Sequence, residues 1–153
     1  MTLRGKFNGA KIHTEAWADE QLTVYSKQYT VRGVEVERGT VRDKSMKFAV
    51  RIVKLSKYLN EQKHEYVIAK QVLRSGTSIG ANIAEAQQGV SRKSFAAKMS
   101  IALSEAAETK YWLELLMRTE YLTTGEYESI VEDCKELERM LTSIVKTAQK
   151  GEQ

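Results

Sequence analysis

The amino-acid sequence predicts an all-α protein: an antiparallel up-down-up-down four-helix bundle with an irregular or short-hairpin N-terminal extension. Three observations carry this expectation. From about residue 44 onward, apolar residues recur at helical and heptad spacings through four successive stretches. Short polar or glycine-containing breaks separate the stretches, and short connections place consecutive helices side by side and antiparallel. The 153 residues contain no proline, the strongest helix breaker. On this reading residues 1–42 are the extension and 43–150 the bundle.

In the extension, Leu22 to Val36 is rich in Val, Thr and Tyr. Leu22/Val24 and Val34/Val36 alternate in part, and Gly33 and Gly39 punctuate the run. This pattern fits a short hairpin or a loosely ordered segment. In the first helix Phe48, Ile52, Leu55 and Leu59 form an amphipathic stripe that ends near Asn60. The second helix starts near Glu65, carries Ile68, Val72, Gly76, Ile79 and Ile83, and has Gly89 placed to terminate it. Ser91 is a suitable N-cap for the third. That helix has the cleanest seam: Phe95, Met99, Ala102, Ala106, Thr109, Leu113 and Leu116. Thr123-Thr124-Gly125-Glu126 reads as a turn with a capping box from Thr123 to Glu126. The fourth helix follows with Ile130, Cys134, Leu137, Leu141 and Ile144 at heptad spacing.

The run from Arg74 to Ala86 is unusual within this plan. It keeps an apolar rhythm at Ile79 and Ile83, yet fills the rest with small and polar residues. Glycine and serine are poor helix formers, so helix propensity does not account for them. Gly76 and Gly80 are four apart and share one face, which lets another backbone approach closely. Arg74, Ser78, Asn82 and Glu85 follow the same rhythm as a polar ladder. With Glu105, Glu108 and Trp112 they are read as a structural network that holds helices two and three together or joins subunits.

Composition narrows the function. A hydrophobic share of 42% and a charged share of 29% describe a globular chain. No apolar run approaches the roughly 20 residues of a membrane span, and Met1 to Gly9 has no apolar core of a secretory signal. One cysteine, Cys134, permits no internal disulfide, so a reducing cytoplasmic location is expected. Catalysis is not expected. Cys134 lies on an apolar seam with no histidine near it in sequence, and Gly76-x-x-x-Gly80 lacks the Lys-Ser/Thr of a phosphate loop. Glu85, Glu105 and Glu108 fall short of a di-metal site, because such bundles use Glu-x-x-His pairs and the only histidines are His13 and His64. No metal or cofactor is expected. The net charge of +4 is unevenly spread. Eleven Lys and Arg stand against three acids from Lys44 to Lys98, whereas six stand against eleven from Met99 onward. Lys44, Lys47, Arg51, Lys54 and Lys57 run along helix one, and Arg92, Lys93 and Lys98 mark the corner between helices two and three. Such a surface suits phosphate backbones bound without base reading; the competing reading is a set of solvated helix faces. Trp112 beside Tyr111 fits base stacking, or more commonly a core or subunit contact.

Three stretches carry a family resemblance: Phe48-Ala49-Val50-Arg51-Ile52-Val53, the long run from Gln71 through Gly76 and Gly80 to Ala86, and Ala102 to Leu113. From about Val41 the chain resembles the four-helix-bundle family of 23S rRNA-intervening sequence proteins. Helix four matches only in pattern. Members often begin near the segment matched by Val41 to Ser45, so residues 1–40 depart from the family pattern. The resemblance implies a homo-oligomeric ring, commonly a pentamer. It also implies kinship with the accessory variability protein of diversity-generating retroelements, a basic pentameric bundle that binds nucleic acid and partners a reverse transcriptase. The expectation is a non-enzymatic oligomer binding RNA or DNA, structured RNA first, through its basic helix faces. The alternative is a scaffold that docks a protein such as a reverse transcriptase.

Overall fold

The structure, a computed structural model, describes residues 40–89 and 91–150. These form four helices: α1 (Val41–Gln62), α2 (Val67–Gln87), α3 (Arg92–Arg118) and α4 (Thr124–Lys150). No strand occurs among the described residues. The expected hairpin at 22–36 lies outside them.

Local chemistry sets each boundary. α1 begins at Val41, two residues before the expected border. Thr40 and Asp43 form a capping box, with Asp43 N–H donating to Thr40 Oγ1 at 3.2 Å and Thr40 N–H donating to Asp43 Oδ2 at 3.1 Å. α1 runs past Asn60 to Gln62 and stops at His64, whose φ of 51° is left-handed. α2 is started by a residue outside it. The buried Glu65 carboxylate accepts the N–H groups of Val67 (3.1 Å), Ile68 (2.9 Å) and Ala69 (2.7 Å). A carboxylate over a helix N-terminus satisfies donors that have no partner within the helix and meets the positive end of its dipole. The expected Ser91 cap of α3 is present, reciprocated by Ser94. α3 ends in a Schellman turn: Tyr121 N–H donates to the Leu116 carbonyl at 2.9 Å, and Glu120 takes a φ of 64°. The Thr123–Glu126 capping box opens α4 as expected.

The core is the union of the four stripes. Phe48, Ile52, Leu55 and Leu59 on α1 are buried, as are Val72, Ile79 and Ile83 on α2. Met99, Ala102, Ala106, Leu113 and Leu116 on α3 join Ile130, Cys134, Leu137 and Leu141 on α4. Ile68, Phe95 and Ile144 are only partly buried, near helix ends, and Val145 rather than Ile144 finishes the α4 stripe. α2 packs on both α1 and α3, α3 packs on α4, and α4 closes back on α1. Facing pairs fix the directions. Arg42 meets Gln87 and Ser56 meets Ala69 across α1–α2; Arg74 meets Glu108 and Glu85 meets Lys98 across α2–α3; Lys44 meets Glu136 and Arg51 meets Ser129 across α1–α4. In each case one sequence rises as the other falls, so the pair is antiparallel.

The glycine face of α2 turns toward α1, while its polar face turns toward α3. The two glycines are not equivalent. A Cβ on Gly76 would lie 2.8 Å from both Cγ1 and Cγ2 of the fully buried Ile52. A Cβ on Gly80 would meet Ser45 Oγ at 3.4 Å, an ordinary contact. Replacing a helical glycine by alanine gains about 1 kcal/mol of propensity, and overpacking a core costs about 1–3 kcal/mol. The clash therefore wins at Gly76 and the propensity wins at Gly80.

Arg51 departs from expectation. The sequence grouped it with solvent-facing lysines, but its position on α1 points it into the seam with α4. There its Nη1 donates to Asp133 Oδ2 at 2.5 Å and to the Ser129 carbonyl at 3.0 Å, and its Nη2 donates to Ser129 Oγ at 2.8 Å. Its side chain is 9% exposed against 42% for Asp133. The buried partner depends on the exposed one far more than the reverse.

Two outcomes are expected in urea denaturation. Gly76→Ala destabilises by about 1–2 kcal/mol and Gly80→Ala stabilises by up to about 1 kcal/mol. In an Ile52→Ala background the Gly76→Ala loss disappears, because valine would keep both clashing carbons and only alanine removes them; an unchanged loss would sink the packing argument. Separately, Asp133→Ala, which strips a carboxylate from a buried guanidinium, costs about 2–3 kcal/mol. Arg51→Met keeps the apolar stem, leaves Asp133 in water and costs about 1 kcal/mol. The opposite ranking would contradict the assigned asymmetry.

Candidate nucleic-acid interface

Eight cations were singled out by sequence, and the fold divides them. Lys44 is ion-paired with Glu136 on α4, Arg51 is buried against Asp133 and Ser129, and Lys98 pairs with Glu85 at 2.5 Å. Lys47, Lys54, Lys57, Arg92 and Lys93 make no ion pair among the described residues. Lys47, Lys57, Arg92 and Lys93 are exposed and Lys54 is half-buried. A cation already matched by a carboxylate contributes little net potential, so of these eight side chains five contribute to the positive surface.

The fold also decides how far apart they stand. Because α1–α2 and α2–α3 are both antiparallel, the start of α1 and the start of α3 lie at the same end of the bundle. Arg42 Nη1 donates to Gln87 Oε1 at 3.3 Å across that end. Lys47 and the Arg92–Lys93 corner therefore belong to one end, together with two helix N-termini whose dipoles point positive. Lys54 stands about 10 Å, and Lys57 about 15 Å, further along α1 at 1.5 Å per residue. The patch is densest at one end and thins along α1.

The polar ladder of α2 does not form one network. Arg74 bridges to α3, hydrogen-bonded to Glu108 and 3.5 Å from Glu105. The Trp112 indole N–H donates to the same Glu108 Oε1 at 3.0 Å. Those two donors, the indole first, hold the Glu108 carboxyl below the usual carboxylate range. Arg74 is half exposed, so this cluster is a surface clasp rather than a buried network. Asn82 turns back on its own helix, donating to the Ser78 carbonyl at 2.9 Å and to its hydroxyl at 3.1 Å. Glu85 joins Lys98 instead of Glu105 and Glu108. No group of three His, Cys, Asp or Glu side chains is placed to hold a metal ion among the described residues. Trp112 is half-buried against the core, and the exposed Tyr111 ring meets it edge-on with centroids 5.0 Å apart.

Cys134 offers no reactive thiolate. Its thiol is buried and donates to the Ala106 carbonyl at 3.3 Å; burial first, and then Glu138, push its pKa up to about 12. Beside it, Lys110 is clasped by both Glu138 oxygens at 2.8 and 2.6 Å, and this holds its pKa above the usual lysine value. Ser129, Asp133 and the Glu65 cap escaped the sequence reading. For Asp133 a signal existed: the acids of α4 cluster in its first half, which antiparallel packing sets against the basic stripe of α1. Glu65 gave none, because a glutamate two residues before a helix is not a usual cap.

No helix among the described residues is long and apolar enough to cross a membrane. A search of curated proteins finds no match. Among solved structures, the chain is similar to a protein of unknown function from the S23 ribosomal protein family of Bacteroides thetaiotaomicron VPI-5482. The two are 59% identical with a TM-score of 0.70, and the match covers 70% of this chain and 99% of that one. The family model described as 23S rRNA-intervening sequence protein matches residues 37–143, which takes in most of the four helices. The chain thus belongs to the 23S rRNA-intervening sequence protein family.

Proposed function

We propose that this chain is a non-enzymatic homo-oligomer, a pentamer by family resemblance, that binds structured RNA through cations of α1 and the α2–α3 corner. The observation that carries the reading is the division of those cations. Lys47, Lys54, Lys57, Arg92 and Lys93 remain without a carboxylate partner among the described residues, whereas Lys44, Arg51 and Lys98 are matched. Unmatched cations gathered toward one end, with two helix N-termini, attract a phosphate backbone by counterion release and read no bases. The family name supports RNA as the polyanion to test first. Lys44, Arg51 and Lys98 are structural in this reading, which narrows the expected interface from eight residues to five.

The test is fluorescence anisotropy with a structured RNA hairpin. Four phosphate contacts weaken affinity on the order of 100-fold between 50 and 200 mM salt. Reversing Lys47, Lys54, Arg92 and Lys93 to Glu together lowers affinity at least about 10-fold and flattens the salt dependence, with the helical circular dichroism unchanged. Arg51 is left out of this variant because its guanidinium is buried in the α1–α4 seam, so reversing it would act on packing rather than on surface charge. An intact protein that ignores RNA at 50 mM salt would overturn the reading in favour of a protein-docking scaffold.

A further inference from the structure

The turn between α1 and α2 carries an aromatic and an aliphatic side chain that the bundle leaves uncovered. Tyr66 is 60% exposed, and Val67, the first residue of α2, is 73% exposed. Their backbone is firmly held. Lys63 N–H and Glu65 N–H both donate to the Leu59 carbonyl, at 3.2 and 3.0 Å, and His64 between them takes its left-handed φ. The Glu65 carboxylate, buried under three N–H groups of α2, pins the turn to the helix it starts. With Glu65 turned inward, His64 and Tyr66 on either side of it reach solvent. The Tyr66 hydroxyl and His64 Nδ1 share a hydrogen bond of 3.3 Å, so the ring is fixed at its tip while most of its surface stays open. Cations accompany it. Lys63 and Lys70 are exposed and make no ion pair among the described residues. Lys63 Nζ stands 5.7 Å from the ring centroid of the half-buried Tyr58. Lys70 N–H donates to the Tyr66 carbonyl at 3.4 Å, which sets the two residues one turn apart on the same side of α2. The only acid from Lys63 to Lys70 is Glu65, and the cap occupies it.

We propose that this turn is a stacking platform for single-stranded RNA: an unpaired base lies on the Tyr66 ring beside Val67, and Lys63 and Lys70 hold the phosphates that flank it. This rests on the nucleic-acid part of the function proposed above and adds a second element to the ligand, an unpaired stretch. An open ring between unmatched cations is the arrangement that binds single strands with little regard to sequence, because every base has a face to stack and every linkage a charge to neutralise. A protein partner seated on Tyr66 and Val67 would have to desolvate both lysines, and lysine is depleted from the centres of protein interfaces for that reason. Glu65 already fills the N-terminus of α2, so the phosphates are left to the lysines rather than to the helix dipole. The platform stands at the end of the bundle opposite the Arg92–Lys93 corner, about 30 Å away along α1 at 1.5 Å per residue. It is therefore a separate site rather than an extension of the cationic end.

The experiment compares two labelled strands on full-length protein by fluorescence anisotropy: a short oligoadenosine RNA and an abasic strand with the same number of phosphates. Wild type binds the base-bearing strand at least about 5-fold more tightly. Tyr66→Ala abolishes that preference and leaves the abasic strand unaffected, whereas Tyr66→Phe keeps it. The Tyr66 side chain makes no cap hydrogen bond, so helix content measured by circular dichroism stays unchanged in both variants. Lys63→Gln combined with Lys70→Gln weakens both strands alike. Equal affinity of wild type for the two strands would overturn the platform and leave the patch to a protein partner. A preference that survives Tyr66→Ala, or is lost in Tyr66→Phe, would refute stacking on this ring. Unchanged binding in the double lysine variant would refute the phosphate contacts. The two RNA readings also fail separately. The base preference persists when Lys47, Lys54, Arg92 and Lys93 are reversed, since none lies at this turn, and its disappearance there would place the bases on the other surface and sink the platform.

Discussion

The bundle closes where its last helix docks on its first, and that closure is made with charge. α1 and α4 are separated by two helices and three turns, so bringing them together costs chain entropy that only direct contact recovers. Their seam carries the Lys44–Glu136 pair and the insertion of Arg51 between Ser129 and Asp133. A buried guanidinium hydrogen-bonded to both Ser129 and Asp133 tolerates few alternative registers, because sliding α4 by one turn cannot keep both residues opposite it. The apolar stripes drive collapse, and this contact selects the arrangement in which they collapse.

That closure changes the meaning of the charge distribution. A basic first half and an acidic second half look, along the sequence, like an external field. In the folded chain much of it is internal matching, since α1 meets the acids of α4, and Lys110 of α3 is held by Glu138. Of the eight basic residues on α1 and the α2–α3 corner, five remain unmatched among the described residues, and Lys47, Arg92 and Lys93 stand where α1 and α3 begin. Charge counted along a chain overstates the charge a partner meets.

The helices and core were legible because heptad spacing is a local signal that tertiary packing reinforces, and nearly every stripe residue is buried. The Ser91 and Thr123–Glu126 caps were legible for the same reason, since cap chemistry acts within three residues. Contacts that depend on which helix lies next door were less so. Glycines four apart announce close approach, but only the placement of Ile52 separates the tight Gly76 from the roomier Gly80. Arg51 sits on a basic stripe in the sequence, and its burial follows from Ser129 and Asp133, 78 and 82 positions away. The ladder from Arg74 to Glu85 shares one helical rhythm, yet its members separate into an α3 clasp, a bond within α2 and a pair with Lys98.

The convergence of the α1 and α3 starting points at one end of the bundle matters beyond a single chain. In a cyclic assembly whose helix axes lie roughly along the ring axis, equivalent ends of all copies share one rim, so each copy adds its Lys47, Arg92 and Lys93 to the same circle. A long polyanion lying across such a rim engages several weak sites at once, and each successive contact is intramolecular. Linked sites of this kind gain orders of magnitude in avidity with no new contact, provided the ligand spans them. On the proposed reading, a ring of such bundles would favour length and curvature in a polyanion over base sequence, a selectivity that one subunit alone would not possess.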